Sequence, residues 1–212
     1  MPDEVKRSYR SSVRDAQAAA TRSSLREAAA RLFVEQGYVA TSIRQVAQEA
    51  GVAERTVYLV FPSKAALFQH TLNVTIAGDE GQRSVGDRMA DDVLTLQDPH
   101  VVLSVTLDQA ADLLDRAGDL IMVSVEAAGA DPDMRAAAEA GSRATHGHYR
   151  ALTEHLDRLG ALAPGMTPSA AADVLYALGS PHLHQLLRRN RRWSKRAYRE
   201  WLHSTLSAQI LG

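Results

Sequence analysis

Residues 41–64 read TSIRQVAQEAGVAERTVYLVFPSK. Ser42 stands three residues before Gln45, the capping-box spacing in which each side chain satisfies the other's unpaired backbone N–H. Ile43, Val46, Ala47 and Ala50 then line one side of a short helix. Gly51 ends it after about two turns, with Val52 placed to pack back on the last turn as in a Schellman close. Glu54 to Val60 makes a second short helix whose inward side is Val57 with Val60 or Phe61, and Pro62 bars its continuation. Ser63 caps another helix carrying Ala66 and Leu67. Two such short helices joined by a glycine turn make no core by themselves. They make sense as a helix-turn-helix braced by longer neighbours.

Upstream, Leu25, Ala28, Ala29, Leu32 and Phe33 fall on one helical face, so a helix is predicted from Thr21, with Gly37 as its stop. Residues 1–20 hold Lys6, Arg7, Arg10 and Arg14 among Ser and Gln and read as a basic flexible arm. Downstream, residues 78–98 are rich in Gly and Asp and read as a linker or a frayed helix end. Helical patterns follow over 99–117, 119–128, 132–160, 168–189 and 195–210, without an internal repeat or useful β alternation. The class is all-α: an N-terminal three-helix domain over 21–69 with the helix-turn-helix at 42–61, then a larger helical domain over 70–212.

Of the 212 residues 45% are hydrophobic and 23% charged, which places the chain among ordinary globular proteins. The absence of cysteine excludes disulfides, thiolate metal sites and a Cys nucleophile, and a reducing compartment is the simplest setting. The first thirty residues lack a secretory apolar region and no apolar run approaches the roughly 20 residues of a membrane span, so a cytoplasmic protein off the membrane is expected. The net charge of −1 hides a partition. Residues 1–70 carry ten Lys/Arg against seven Asp/Glu, residues 71–133 three against thirteen, and residues 134–212 eleven against five. A basic head before an acidic middle suits an anion-binding module on a body kept off the polyanion. Gly-rich phosphate loops, Gly-x-Ser-x-Gly and His-Glu-x-x-His are absent, so no enzyme and no cofactor is expected. His146 with His148, and His182 with His184, sit two apart, a spacing that does not place two ligands on one helical face, so no metal site is expected.

A helix-turn-helix works because its first helix anchors a second whose leading residues enter the major groove, where all four base pairs differ. The segment Ala28 to Tyr38, Ala50-Gly51-Val52, Thr56-Val57-Tyr58, Phe61, Ser63-Lys64 and Leu67, in that order, resembles the TetR family of transcriptional regulators. The resemblance implies that Ser42 and Arg44 approach the duplex, that Glu54, Arg55 and Thr56 face base edges, and that Tyr58 and Lys64 hold phosphates. The chemistry agrees. Arg55 can give two hydrogen bonds to guanine O6 and N7, and Glu54 can accept from a cytosine amino group. Lys64 adds a point charge to the positive end of a helix dipole. The sequence departs from the family pattern at Ala53, where Ser or Thr is frequent, at Arg55, where a small residue is frequent, and at Val60, where a His often contacts the backbone.

Beyond the reader the resemblance covers only length and helical layout. It implies a homodimer through the last two helices, whose apolar stripes are Ala171, Leu175, Leu178, Leu183, Leu186 and Leu187, and Tyr198, Trp201, Leu202, Leu206 and Ile210. It also implies a repressor that leaves a palindromic operator when a small molecule binds the body. Met122, His146, Tyr149 and Tyr176 combine apolar bulk with polar tips and are the candidates to touch that effector. The basic run Arg188 to Arg199 around Trp193 reads as an exposed loop between the last two helices. The alternative class is a helical protein-binding adaptor without DNA activity.

Overall fold

The computed structural model describes residues 3–78 and 93–212, with side chains described from Ala16 onward. It divides into two compact units, Met1–Asn73 and Val74–Gly212, the division falling within a helix. Among the described residues it is helical with no strand.

The first unit holds α1 (Asp3–Ala40), α2 (Ile43–Glu49), α3 (Glu54–Val60) and most of α4 (Lys64–Ala77). α1 begins at Asp3, so the backbone of residues 3–20, read from sequence as a flexible arm, is helical. No Gly or Pro interrupts residues 3–36, and Ala16, Ala18, Ala19 and Ala20 favour helix, which lets the turns of the packed region continue outward. The side chains of Lys6, Arg7, Arg10 and Arg14 lie outside the described residues. At the other end Gly37, with φ 79° and ψ 167°, interrupts the helix. The core beneath is aromatic. Phe33, Tyr38 and Phe68 pack with ring centroids 5.0 to 5.8 Å apart, and Leu25, Ala28, Ala29, Val46, Val57 and Leu67 are buried around them.

The second unit holds α5 (Pro99–Ala127), α6 (Pro132–Arg158), α7 (Pro168–Leu178), α8 (Pro181–Gln185) with a π-helical turn at Leu186–Asn190, and α9 (Lys195–Ile210). Four of these helices start alike. Asp98, Asp131, Thr167 and Ser180 each cap a helix with the side chain while the following proline fills a position whose N–H would be unpaired. The core joins Leu103, Leu107, Leu152, Leu156, Leu175, Leu202 and Leu206 from α5, α6, α7 and α9. The C-terminus closes on the α6–α7 loop, where Ala163 N–H donates to Ile210 (2.9 Å) and Gly212 N–H to Ala161 (3.1 Å). No described helix is long and apolar enough to cross a membrane.

Three sequence expectations change here. Patterns 99–117 and 119–128 are one helix, because Gly118 is not a stop but a buried helical residue. A Cβ there would stand 3.4 Å from His184 Nδ1, so the bare backbone admits that ring. The pattern 168–189 is broken at Gly179-Ser180-Pro181, where a Cβ on Gly179 would meet the Leu175 carbonyl at 2.8 Å and Tyr149 Oη at 2.9 Å. Within the linker expected over 78–98, residues 79–92 lie outside the described residues, and Val93 is buried in the core of the second unit.

Candidate functional site

The reader is built by local chemistry. Ser42 Oγ accepts from Gln45 N–H while Ser42 N–H donates to Gln45 Oε1 (2.8 Å), closing the capping box at the start of α2. Gly51 at φ 69° ends α2, with Val52 N–H donating to Ala47 (2.9 Å) and Gly51 N–H to Gln48 (3.2 Å), the two bonds of a Schellman close. Thr41, 1% exposed, donates its hydroxyl to the Gly37 carbonyl at 2.8 Å and seals the corner before α2.

α3 then hangs on one residue. Val57 is fully buried, with Phe61 just past the helix end at 6% exposure. At about 100° of rotation per residue, Arg55 and Leu59 lie about 160° to either side of Val57, so they form the outermost ridge of the helix. Glu54 and Arg55 are exposed and Thr56 is half-buried. Tyr58 is 51% and Leu59 77% exposed. Ser42 and Arg44 are exposed at the start of α2. Val60, half-buried, brings no polar group to the surface. Ala53, the N-cap of α3, makes no side-chain cap hydrogen bond.

Lys64, expected from the sequence to hold a phosphate, lies against the end of α1. Its Nζ donates to the carbonyls of Tyr38 (2.8 Å), Thr41 (3.0 Å) and Val39 (3.5 Å), and lies 4.3 Å from the centre of the Tyr38 ring. An ammonium has three protons, and here each has a carbonyl acceptor. Lys64 thus closes the orphan carbonyls at the end of α1. The sequence showed a cation at the start of α4 and nothing of the carbonyls it would find.

In the second unit the effector candidates separate. His146 and Tyr176 come together on α6 and α7 with ring centroids 5.8 Å apart. His146 Nε2 lies 2.9 Å from Asp173 Oδ1, and Tyr176 Oη 2.6 Å from Ser142 Oγ. Tyr149 instead belongs to the core, where burial pushes its phenol up to about 12. Met122 is buried on α5.

A polar centre that sequence reasoning missed lies where α8, the π-turn and α9 meet α5. Asp115 is approached by His184 Nε2 (3.3 Å), Arg188 Nε (3.2 Å) and Lys195 Nζ (3.4 Å), and its side chain is 10% exposed. Burial alone would raise the Asp115 pKa, but hydrogen bonds from Arg188 and His184 and the charges of Arg188 and Lys195 hold it below its usual value. For His184 burial dominates and lowers the pKa against the pull of Asp115. Tyr198 packs edge-on against His184 (4.9 Å), its phenol is raised by burial, and its buried Oη has no hydrogen-bond partner among the described residues. The signal was present in the spacing of Asp108, Asp112, Asp115 and Asp119, one stripe of α5.

Residues 25–71 match the family model described as bacterial regulatory proteins, tetR family. The crystal structure of NalD, the secondary repressor of the MexAB-OprM multidrug efflux pump in Pseudomonas aeruginosa, superposes with a TM-score of 0.73 at 25% identity, covering 92% of this chain and 98% of that one. The helix-turn-helix segment thus matches the tetR family model, and the whole chain shares the fold of a repressor. An uncharacterized HTH-type transcriptional regulator of Bacillus subtilis (strain 168), YuxN, is 40% identical over 47 residues, or 22% of this chain and 16% of that protein. The chain thus spans about a sixth of the curated relative it matches. A transcriptional regulator from Saccharomonospora viridis, solved in complex with choline, shares the fold with a TM-score of 0.70 at 20% identity, covering 90% of this chain and 97% of that one.

Two further readings of the sequence concern the second unit. The apolar stripes of the last helices are in large part the chain's own core: Ala171, Leu175, Tyr198, Leu202, Leu206 and Ile210 are at most 1% exposed. Of the stripe, Leu186 is exposed at 47%, with Leu178, Leu183, Leu187 and Trp201 half-buried. The acidic middle and the basic run after it also meet each other. Asp108 pairs with Arg199 (3.5 Å) and His203 (3.2 Å), Asp112 with Arg199, Asp115 with Arg188 and Lys195, and Asp119 with Arg189 (2.5 Å). The basic residues from Arg188 to Arg199 are therefore in large part the partners of α5.

Proposed function

We propose that this protein is a sequence-specific DNA-binding transcriptional regulator, a repressor that holds a palindromic operator as a homodimer and leaves it when a small molecule binds the body. One observation carries the reading. α3 buries Val57 completely and turns Glu54 and Arg55 outward at its leading end, the disposition a major-groove reader requires. Ser42 and Arg44 flank it from α2, and Tyr58 supplies an exposed phenol for a phosphate. Lys64 acts by positioning the corner between α1 and α2.

Two readers must sit about 34 to 36 Å apart to meet successive major grooves, so the dimer sets the operator's half-site spacing. A dimer through the last two helices uses the faces that the core leaves over, Leu186 among them. The effector shifts the subunits away from that spacing, and His146 and Tyr176 present aromatic and polar groups to it. NalD, described as a repressor, supports the repressor reading at 25% identity along nearly the whole chain, and the choline complex of the Saccharomonospora viridis protein supports a small organic effector. Such a regulator works in the cytoplasm without a cofactor.

Selection of bound sequences from a random duplex pool, followed by affinity measurements across salt, tests the reading. The expected result is a two-fold symmetric site whose affinity falls steeply with salt. A chain that retains no duplex in the pool overturns it and leaves the protein-binding adaptor.

A further inference from the structure

The most exposed large apolar side chain among the described residues is Leu59, at 77%. It sits in the last turn of α3, next to the final residue Val60, on the helix proposed above to enter the major groove. Neither the motif nor the polar chemistry of the reader gives it a task. A leucine on a seven-residue helix has cheaper positions, since Val57 and Phe61 already hold the helix to its unit.

We propose that Leu59 is a specificity-determining residue that packs on the C5-methyl group of a thymine in the operator half-site. The proposal rests on the DNA-binding reading and deepens it. Arg55 and Leu59 are four residues apart and share the ridge opposite Val57, so an α3 seated in the major groove through Arg55 brings Leu59 to the groove floor as well. The groove floor offers an apolar side chain one partner, the methyl group of thymine, which cytosine and the purines lack there. Four residues of helix rise by about 6 Å and base pairs by about 3.4 Å, so the thymine lies within about two base pairs of the guanine that Arg55 reads. Tyr58, 100° round the helix and 51% exposed, points toward the groove wall and the phosphates instead.

The test uses the full-length protein and the duplex recovered by selection. Each thymine of one half-site is replaced in turn by deoxyuridine, which removes only the methyl group, and the Kd is measured for the wild type and for Leu59→Ala. At one thymine the wild type loses about fourfold in affinity, the worth of one buried methyl-sized group, while Leu59→Ala binds all the duplexes with the same, weaker affinity. Leu59→Ala leaves the fold intact, since the side chain is solvent-facing, and circular dichroism checks that. If the wild type binds the duplex but no deoxyuridine weakens it, or if both proteins respond alike, the Leu59 assignment falls and the DNA-binding reading stands. If the wild type binds no duplex at all, both fall together.

Discussion

Lys64 Nζ lies 2.8 Å from the carbonyl oxygen of Tyr38 and 4.3 Å from the centre of the same residue's ring. One side chain thus ties the first residue of α4 to the last turn of α1, and the corner from which α2 departs is fixed between them. Hydrogen bonds from a charged donor contribute about 1.5 to 3 kcal/mol each way they are removed.

Lys64→Met keeps the stem and deletes the donor. We expect it to lower the stability of the reader by about 2 kcal/mol in urea unfolding. The slope of log affinity against log salt stays as in the wild type, because no phosphate contact is lost. A phosphate-holding lysine would reduce that slope by about 0.9 per contact, and a reduction of that size would return Lys64 to the DNA surface.

Arg55 is the opposite case, an exposed guanidinium on the ridge of α3. Arg55→Ala is expected to cost about 1 to 3 kcal/mol on the selected operator and to relax preference at a single base step. Gel-shift titrations on selected and scrambled duplexes check it. Equal losses on both would show an arginine that touches phosphate alone.

The reader was legible because its signals are local. Ser42 with Gln45, and Gly51 with Val52, satisfy backbone groups within five residues, so the sequence contains both halves of each interaction. The body was legible only as helices. Gly118 and Gly51 look alike in sequence, yet one admits a ring from 66 positions on and the other ends a helix. An apolar stripe such as Tyr198, Leu202 and Leu206 states that a face is buried but not against what, and here the answer was α5, α6 and α7 of the same chain. Likewise the acidic row on α5 pairs with residues 69 to 95 positions away, which no local pattern announces.

Ala53 leaves the first turn of α3 without a side-chain acceptor, although its backbone already has the extended conformation of an N-cap, at φ −71° and ψ 144°. Ala53→Ser supplies the acceptor without backbone rearrangement. The gain is about 1 kcal/mol, read by calorimetry as a higher melting temperature for the transition of the reader. An unchanged or lowered melting temperature would mean that the α3 N-terminus is already satisfied by solvent.

His184 gives the body a pH dependence whose sign follows from its surroundings. Its side chain is 5% exposed, faces Asp115 at 3.3 Å and feels the charges of Arg188 and Arg189, and burial lowers its pKa below 6.5. In the unfolded chain the imidazole protonates as pH falls through 6.5, while in the folded state it stays neutral, with Nε2–H toward Asp115. The unfolded state therefore binds more protons in the window just below pH 6.5, and stability falls there as pH falls, by at most about 1.4 kcal/mol per pH unit for one proton. Asp115 acts in a separate window, since its lowered pKa keeps its contribution intact above 3.8 and loses it only below. Denaturant midpoints measured between pH 7.5 and 5 should fall more steeply for the wild type than for His184→Gln, which cannot titrate. Parallel pH profiles for the two proteins would show that His184 is protonated in the folded state as readily as in the unfolded one.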